Sequence, residues 1–350
     1  MKKWASVVPF AIFLFVITAA LAGCGNGKAG PSEGQGGAAA PEAGSAAPAA
    51  NTPAKPSEIR IDYTAIEPVG LAIKQNGWLE EEFKADGIAV KWVRSMGSNN
   101  SIEYLNSGST DFGNSSVFPA FIARTNGVPL QTIYISFNSY SAIAVPPDSP
   151  LTSLEQLKGK KVAATLGTGP YIFLLWALEK AGLSKDDISF ANLQHQDGKQ
   201  SLMQGHLDAW SGLDPYHAQA LLEGAKVLYE SKDFGNYGVL NVRQDFADKY
   251  PDIVKRVLKV YEKARQWALE NPDEIAQILA NEGNLDPQVA ALAQTRRSYG
   301  NPVPDDNVRQ SLQDIAPFLA KEGLIKAGID TDKVIDELFR PEFIKEVLGK

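Results

Sequence analysis

Four short stretches of this chain set small hydroxyl or glycine residues beside a helix-starting proline, and the chemistry they suit is capture of a small polar solute. They are Thr64-Ala65-Ile66-Glu67-Pro68, Gly113-Asn114-Ser115-Ser116 ahead of a segment holding Pro119, Gly167-Thr168-Gly169-Pro170, and Ser211-Gly212-Leu213-Asp214-Pro215. Each reads as a turn between the end of a strand and the start of a helix. A helix start carries unpaired N–H groups and partial positive charge, which together favour an anion. Small Ser, Thr and Gly residues let a solute oxygen approach the backbone and add hydroxyl donors. Any one such turn is more often an ordinary cap than a site. Four of them, gathered beyond the carboxyl ends of the strands where open α/β sheets bind ligands, could hold a sulfonate, nitrate or carboxylate without much net positive charge. The third is not a P-loop, because it lacks the Gly-Lys-Ser/Thr ending.

A catalytic set is harder to assemble. The three histidines are His195, His206 and His217. His206 follows a glycine in a turn, whereas His217 stands in the first turn of a helix and His195 follows a strand ahead of Gln196-Asp197, and both are candidates to line a cleft. No HExxH, GxSxG or Cys/His cluster occurs. Asp111, Asp197, Asp208 and Asp214 are explained as caps and strand ends. The expectation is a binder without cofactor or metal, not an enzyme.

The elements that must position these turns are legible from periodicity. Strands are predicted over 59–63, 88–93, 110–112, 131–136, 141–145, 160–165, 188–193 and 208–213. Helices are predicted over 68–75, 101–105, 117–124, 171–181, 199–204 and 216–223. This alternation predicts an α/β fold with mostly parallel pairing. After about Gln244 only helices are read. Ile253, Val254, Val257, Leu258, Tyr261 and Ala264 fall on one apolar face. Asn271-Pro272 and Asp286-Pro287 are cap-plus-proline helix starts.

The N-terminus is of another kind. Met1-Lys2-Lys3 precedes a greasy run from Trp4 to Ala20, which ends in Leu21-Ala22-Gly23-Cys24, with Cys24 the only cysteine of the chain. This is the build of a secretory signal peptide. Its Leu-Ala-Gly-Cys end resembles the lipobox of bacterial lipoproteins, which implies cleavage before Cys24 and lipidation of its sulfur. Two acyl chains suffice for stable membrane attachment. Residues 25–56 contain no large apolar side chain and read as a flexible leash with a reach on the order of 30 Å. The formal charge of the full chain is −7, and removal of Lys2 and Lys3 with the leader takes it to −9. An acidic body argues against nucleic acid and against adhesion to anionic lipid.

Three segments together resemble a family. They are Leu105-Asn106-Ser107-Gly108-Ser109-Thr110-Asp111-Phe112-Gly113, then Leu154-Glu155-Gln156-Leu157-Lys158-Gly159-Lys160-Lys161-Val162, and Asp208-Ala209-Trp210 with Asp214-Pro215-Tyr216. In order and spacing they resemble the substrate-binding proteins of ABC importers for aliphatic sulfonates, taurine and nitrate, from about Ile59 to the C-terminus. The resemblance implies a two-lobe type II periplasmic-binding fold that closes by hinge bending, with C-terminal helices packed on lobe one. Lobe one would be 57–140 plus 241–350 and lobe two 141–240, with crossings near 141–145 and 237–242. It implies a ligand set of Thr64, Asn114, Ser115, Ser116, Thr168, Gly169, Tyr171, Ser211 and Asp214. A basic residue, Arg297 in preference to Arg296, would complete it. It also implies ABC permease subunits as partners, a monomeric state and an extracytoplasmic position. Glu67 departs from the small polar residue expected at its place, and Leu213 from an aromatic. Both raise the alternative of a cationic or neutral ligand such as a pyrimidine precursor of thiamine; nitrate as ligand and a ligand-sensing role are further alternatives.

Overall fold

The computed structural model of the protein describes residues 55–350. Cys24, the leader and the leash as far as residue 54 lie outside the described residues. The first stretch runs β1 (Glu58–Tyr63), α1 (Pro68–Asn76), α2 (Trp78–Lys84), β2 (Ala89–Arg94), α3 (Ser98–Ser107), β3 (Phe112–Ser116), α4 (Val117–Thr125) and β4 (Leu130–Val145). Next come β5 (Lys161–Ala164), α5 (Gly169–Lys180), β6 (Ser189–Asn192), α6 (His195–Met203), β7 (Ala209–Gly212) and α7 (Tyr216–Leu222). The chain then returns through β8 (Lys226–Arg243). Helices α8 (Gln244–Lys249), α9 (Pro251–Glu270), α10 (Pro272–Gly283) and α11 (Pro287–Thr295) follow, then the short β9 (Arg297–Ser298). The chain ends in α12 (Asp306–Lys321), α13 (Thr331–Leu338) and α14 (Pro341–Val347).

The strands form one sheet in the order β2-β1-β3-β8-β4-β7-β5-β6, with β9 pairing on β4. Pairing is parallel for β1 with β2 and β3, and for β5 with β6 and β7. The long β4 and β8 run antiparallel through the middle and belong to both halves of the sheet. Their ladder breaks at its centre: from Ser139↔Asn236 to Ser141↔Ser231, β4 advances two residues while β8 advances five. Such an irregularity disrupts the ladder and bends the strand at the centre of this ribbon.

The core falls into several clusters, including two confined to one half each and one shared between the halves. Around β1 and β3, Ile59, Ile61, Phe83, Phe112, Leu240, Val257 and Tyr261 pack together, and the apolar face read for α9 is buried there. Around β5 and β7, Ala163, Leu202 and Trp210 form a smaller cluster. A third cluster joins Phe118 and Phe121 of α4 to Phe173 and Leu174 of α5 and to Leu312, Ile315 and Leu319 of α12.

Four differences from the sequence expectation have physical reasons. The strands predicted over 131–136 and 141–145 are one strand, because the polar residues between them pair with β8. Residues 226–235 begin β8 although Glu230 and Ser231 interrupt its apolar pattern; pairing with β4 overrides weak local propensity. Gly113-Asn114-Ser115-Ser116 is not a turn but the body of β3, whose backbone is paired to Val239 and Gly238 of β8. The helix α2 was not anticipated; it follows α1 directly after Gly77, which has φ +64° and ends α1 in the left-handed region that glycine tolerates.

Candidate functional site

The carboxyl ends of the strands meet around a cavity enclosing about 600 Å³ of empty space, including its open mouth. Thr64, Asn114, Ser115, Ser116, Gly169, Asp214 and Arg297 line it. Seven of the ten residues read from the sequence therefore face one space. The other three do not. The Thr168 hydroxyl is buried and donates to the Thr165 carbonyl at 2.6 Å. The Ser211 hydroxyl is buried and donates to the Pro170 carbonyl at 2.8 Å. Tyr171 packs against Phe190 in a tilted pair, with ring centroids 5.4 Å apart, and lines a separate apolar groove with Leu166 and Ile172. Both hydroxyls hold the loops in shape instead of presenting themselves to a solute.

Three helix starts open on the cavity with no side chain capping them. They are α3 behind Gly97, α4 behind Ser116 and α5 behind Thr168. The fourth, α1, is different. Its cap is Glu67, whose carboxylate accepts from the Val69 N–H at 3.2 Å and from the Gly70 N–H. The donors of α1 are thus taken by the protein's own anion. Burial pushes the Glu67 carboxyl up to about 7, against hydrogen bonds from Gly70 and Val69 and the nearby Arg297 charge. Beneath it, Asp62 accepts from Ser95 Oγ at 2.7 Å, Asn114 N at 2.7 Å and Asn114 Nδ2 at 2.9 Å, and burial raises it to about 6.

The two arginines after α11 have separate tasks. Arg296 donates to Asp214 at 3.0 Å and to Glu230 at 3.0 Å, so its charge is neutralised, as is that of Asp214. Arg297 is the one basic side chain among the lining residues. Its guanidinium donates to the Ile66 carbonyl at 3.0 Å and lies over the Phe137 ring at 5.1 Å. It is fixed by neutral partners and keeps its charge for the cavity.

Several lining residues escaped the sequence reading. Gly97 and Ser98 begin α3, which was expected only from Ser101; the Gly-Ser-Asn-Asn run was the available signal. Phe137, Ser139 and Asn236 come from β4 and β8. Asn236 accepts from Ser116 Oγ at 2.9 Å and donates to Ser139 Oγ at 3.2 Å. Only the tertiary pairing of those strands brings them to the site. His195 and His217 are buried, and desolvation lowers both to about 4. Neither lines the cavity. Among the described residues no group of His, Cys, Asp and Glu could hold a metal ion, and no helix is long and apolar enough to cross a membrane.

Two α/β halves joined by β4 and β8, with a cavity between strand ends lined by both polar and apolar residues, define a binding protein of the periplasmic type. The chain belongs to the NMT1/THI5-like family, whose model matches residues 71–275. It is 31% identical over 353 residues, 99% of this chain and 98% of the relative, to a Bacillus subtilis (strain 168) protein named for binding aliphatic sulfonates. It is 27% identical to the taurine-binding periplasmic protein of Escherichia coli (strain K12), over 60% of this chain and 66% of that one. The alkanesulfonate-binding protein from Xanthomonas axonopodis pv. citri, solved bound to MOPS, superposes with a TM-score of 0.74 at 25% identity, covering 80% of this chain and 98% of that chain.

Proposed function

We propose that the protein captures an aliphatic sulfonate, taurine included, and delivers it to an ABC permease on the outer face of the cytoplasmic membrane. The observation that carries this reading is the convergence of three uncapped helix starts and one arginine on a single cavity. A tetrahedral anion with three equivalent oxygens suits donors arriving from several directions, and the Phe137 ring and Val239 offer an apolar wall for an alkyl chain. The names of the relatives support the same solute class. The site residues of the working protein are then Thr64, Asn114, Ser115, Ser116, Gly169, Asp214 and Arg297, with Ser98 and Asn236 added.

The rest of the reading follows the same line. Residues 57–140 with 241–350 form one lobe and 141–240 the other. The solute draws them together by its greater affinity for the closed form. Cys24 carries the lipid anchor, the body works as a monomer, and no catalytic step occurs. Isothermal titration of the purified protein, in Tris because sulfonate and phosphate buffers would compete, tests the solute class. Ethanesulfonate and taurine are expected to bind at one saturable site. Binding of nitrate or of a hydroxymethyl-aminopyrimidine with no response to either sulfonate would overturn it.

A further inference from the structure

Glu67 sits on the cavity wall in the position an incoming anion would take. Its side chain is 3% exposed, it covers the N–H groups of α1, and it shares the cavity with Arg297. A sulfonate drawn to Arg297 must therefore approach a carboxylate that cannot turn outward, because Gly70 and Val69 hold it on the helix. Two negative groups in one desolvated space repel strongly, and the cheaper outcome is that one of them takes a proton. The sulfonate is too strong an acid to do so.

We propose that this protein binds its anionic solute together with one proton from solvent, which lands on the Glu67 carboxyl. The proposal rests on the sulfonate reading and goes beyond it. In the protonated form one Glu67 oxygen still accepts from the helix, while the new O–H donates to a solute oxygen. Repulsion is thereby exchanged for a hydrogen bond. The charges around Glu67 are consistent with this. Arg297 on β9 favours the carboxylate, but its charge is shared with the solute once the solute arrives. Asp62 on β1 opposes ionisation of Glu67. Tyr134 on β4, Tyr261 on α9 and Tyr299 are held neutral by burial at ordinary pH. Asp214 across the cavity is bonded to Arg296. The carboxyl's own position, raised by burial to about 7, lets it change state in the working range of the protein.

The test is titration of the purified protein with ethanesulfonate between pH 6 and 9, in imidazole and in Tris, cationic buffers whose ionisation heats differ. The wild type is expected to take up close to one proton per solute above pH 7.5, and its affinity to fall by up to roughly tenfold per pH unit there. Glu67→Gln mimics the protonated carboxyl. It is expected to bind with no proton uptake, with flat affinity over this range, and more tightly than the wild type at pH 8.5. A thermal melt confirms that the variant is folded, and the wild-type proton count stands without it. Binding by the wild type with no proton uptake and a flat pH profile overturns the proposal and leaves the sulfonate reading intact. Proton uptake that persists unchanged in Glu67→Gln also overturns it. Absence of ethanesulfonate binding at every pH overturns both.

Discussion

The sharpest perturbation the structure offers is one methyl group at Gly169. This residue opens α5, lines the cavity, and has no positive φ, so alanine is permitted by the backbone. A Cβ there would stand 2.8 Å from Asn236 Oδ1, 3.1 Å from Ser116 Oγ and 3.3 Å from Ser116 Cβ. Those atoms belong to the crossing strand β8 and to the end of β3 in the other half, and they are bonded to each other at 2.9 Å. Closure of the halves would have to break or stretch that bond. Overpacking of this kind costs about 1–3 kcal/mol, and the share that falls on Ser116, in the other half, is charged to the closed form because separation of the halves relieves it. The expected loss of solute affinity is then roughly 5- to 150-fold. With the halves apart only the Asn236 contact would persist, at the end of a side chain that can shift, and Gly→Ala near a helix start offsets it by about 0.4–1 kcal/mol through the unfolded chain. Gly169→Ala should therefore bind ethanesulfonate more weakly by calorimetry while melting, without solute, at or slightly above the wild-type temperature. Affinity within twofold of wild type would refute the reasoning, as would a loss of affinity matched by a lower solute-free melting temperature.

Further expectations concern charge and attachment. Arg296→Met strands Asp214 and Glu230, whose side chains are 3% and 28% exposed, and should cost on the order of 3 kcal/mol in urea unfolding. Glu67 and Asp62, held at about 7 and about 6 against ordinary values of 4.5 and 3.8, stabilise the fold as neutral groups; that contribution is complete below about pH 4 and lost as pH rises through 6 and 7. His195 and His217, held at about 4 against 6.5, act in the opposite sense: their contribution is present above pH 6.5 and lost as pH falls through 4. Stability should thus be nearly flat from pH 4.5 to 6.5. Glu67→Gln, freed of one term, should gain on the wild type by on the order of 3 kcal/mol between pH 4.5 and 8, read from urea midpoints. Cys24→Ala should leave the protein unprocessed and without incorporated radiolabelled palmitate in the bacterium that makes it; unchanged labelling would rule out Cys24 as the anchor.

Much of the fold was legible because it is written in local periodicity. The strand Glu58–Tyr63 alternates, α9 has one apolar face, and proline-led starts mark α10 and α11. What was illegible depends on partners distant in sequence. β3 has a turn-like sequence but pairs with β8, and the first half of β8 carries charges its pairing with β4 overrides. The site divides the same way. Small residues in these stretches marked Thr64, Ser115, Ser116 and Gly169, whereas Thr168 and Ser211 are of the same type but donate their hydroxyls to backbone carbonyls, Thr168 within its own loop and Ser211 to Pro170 at the start of α5. Composition cannot tell those two uses apart. The preference for Arg297 over Arg296 came from resemblance alone; that Arg296 is tied to Asp214 and Glu230 emerges only once those carboxylates are in place.

The central claim is that one sulfonate is held between the helix starts of α3, α4 and α5 and Arg297. A crystal structure grown with 2-bromoethanesulfonate tests it most directly, because the bromine locates the solute by its anomalous signal. The expected map has a single strong peak inside the cavity near Phe137 and Val239, with the sulfonate oxygens toward Ser116, Gly169 and Arg297. A cavity without the peak, or a peak confined to another face of the molecule, would contradict the account.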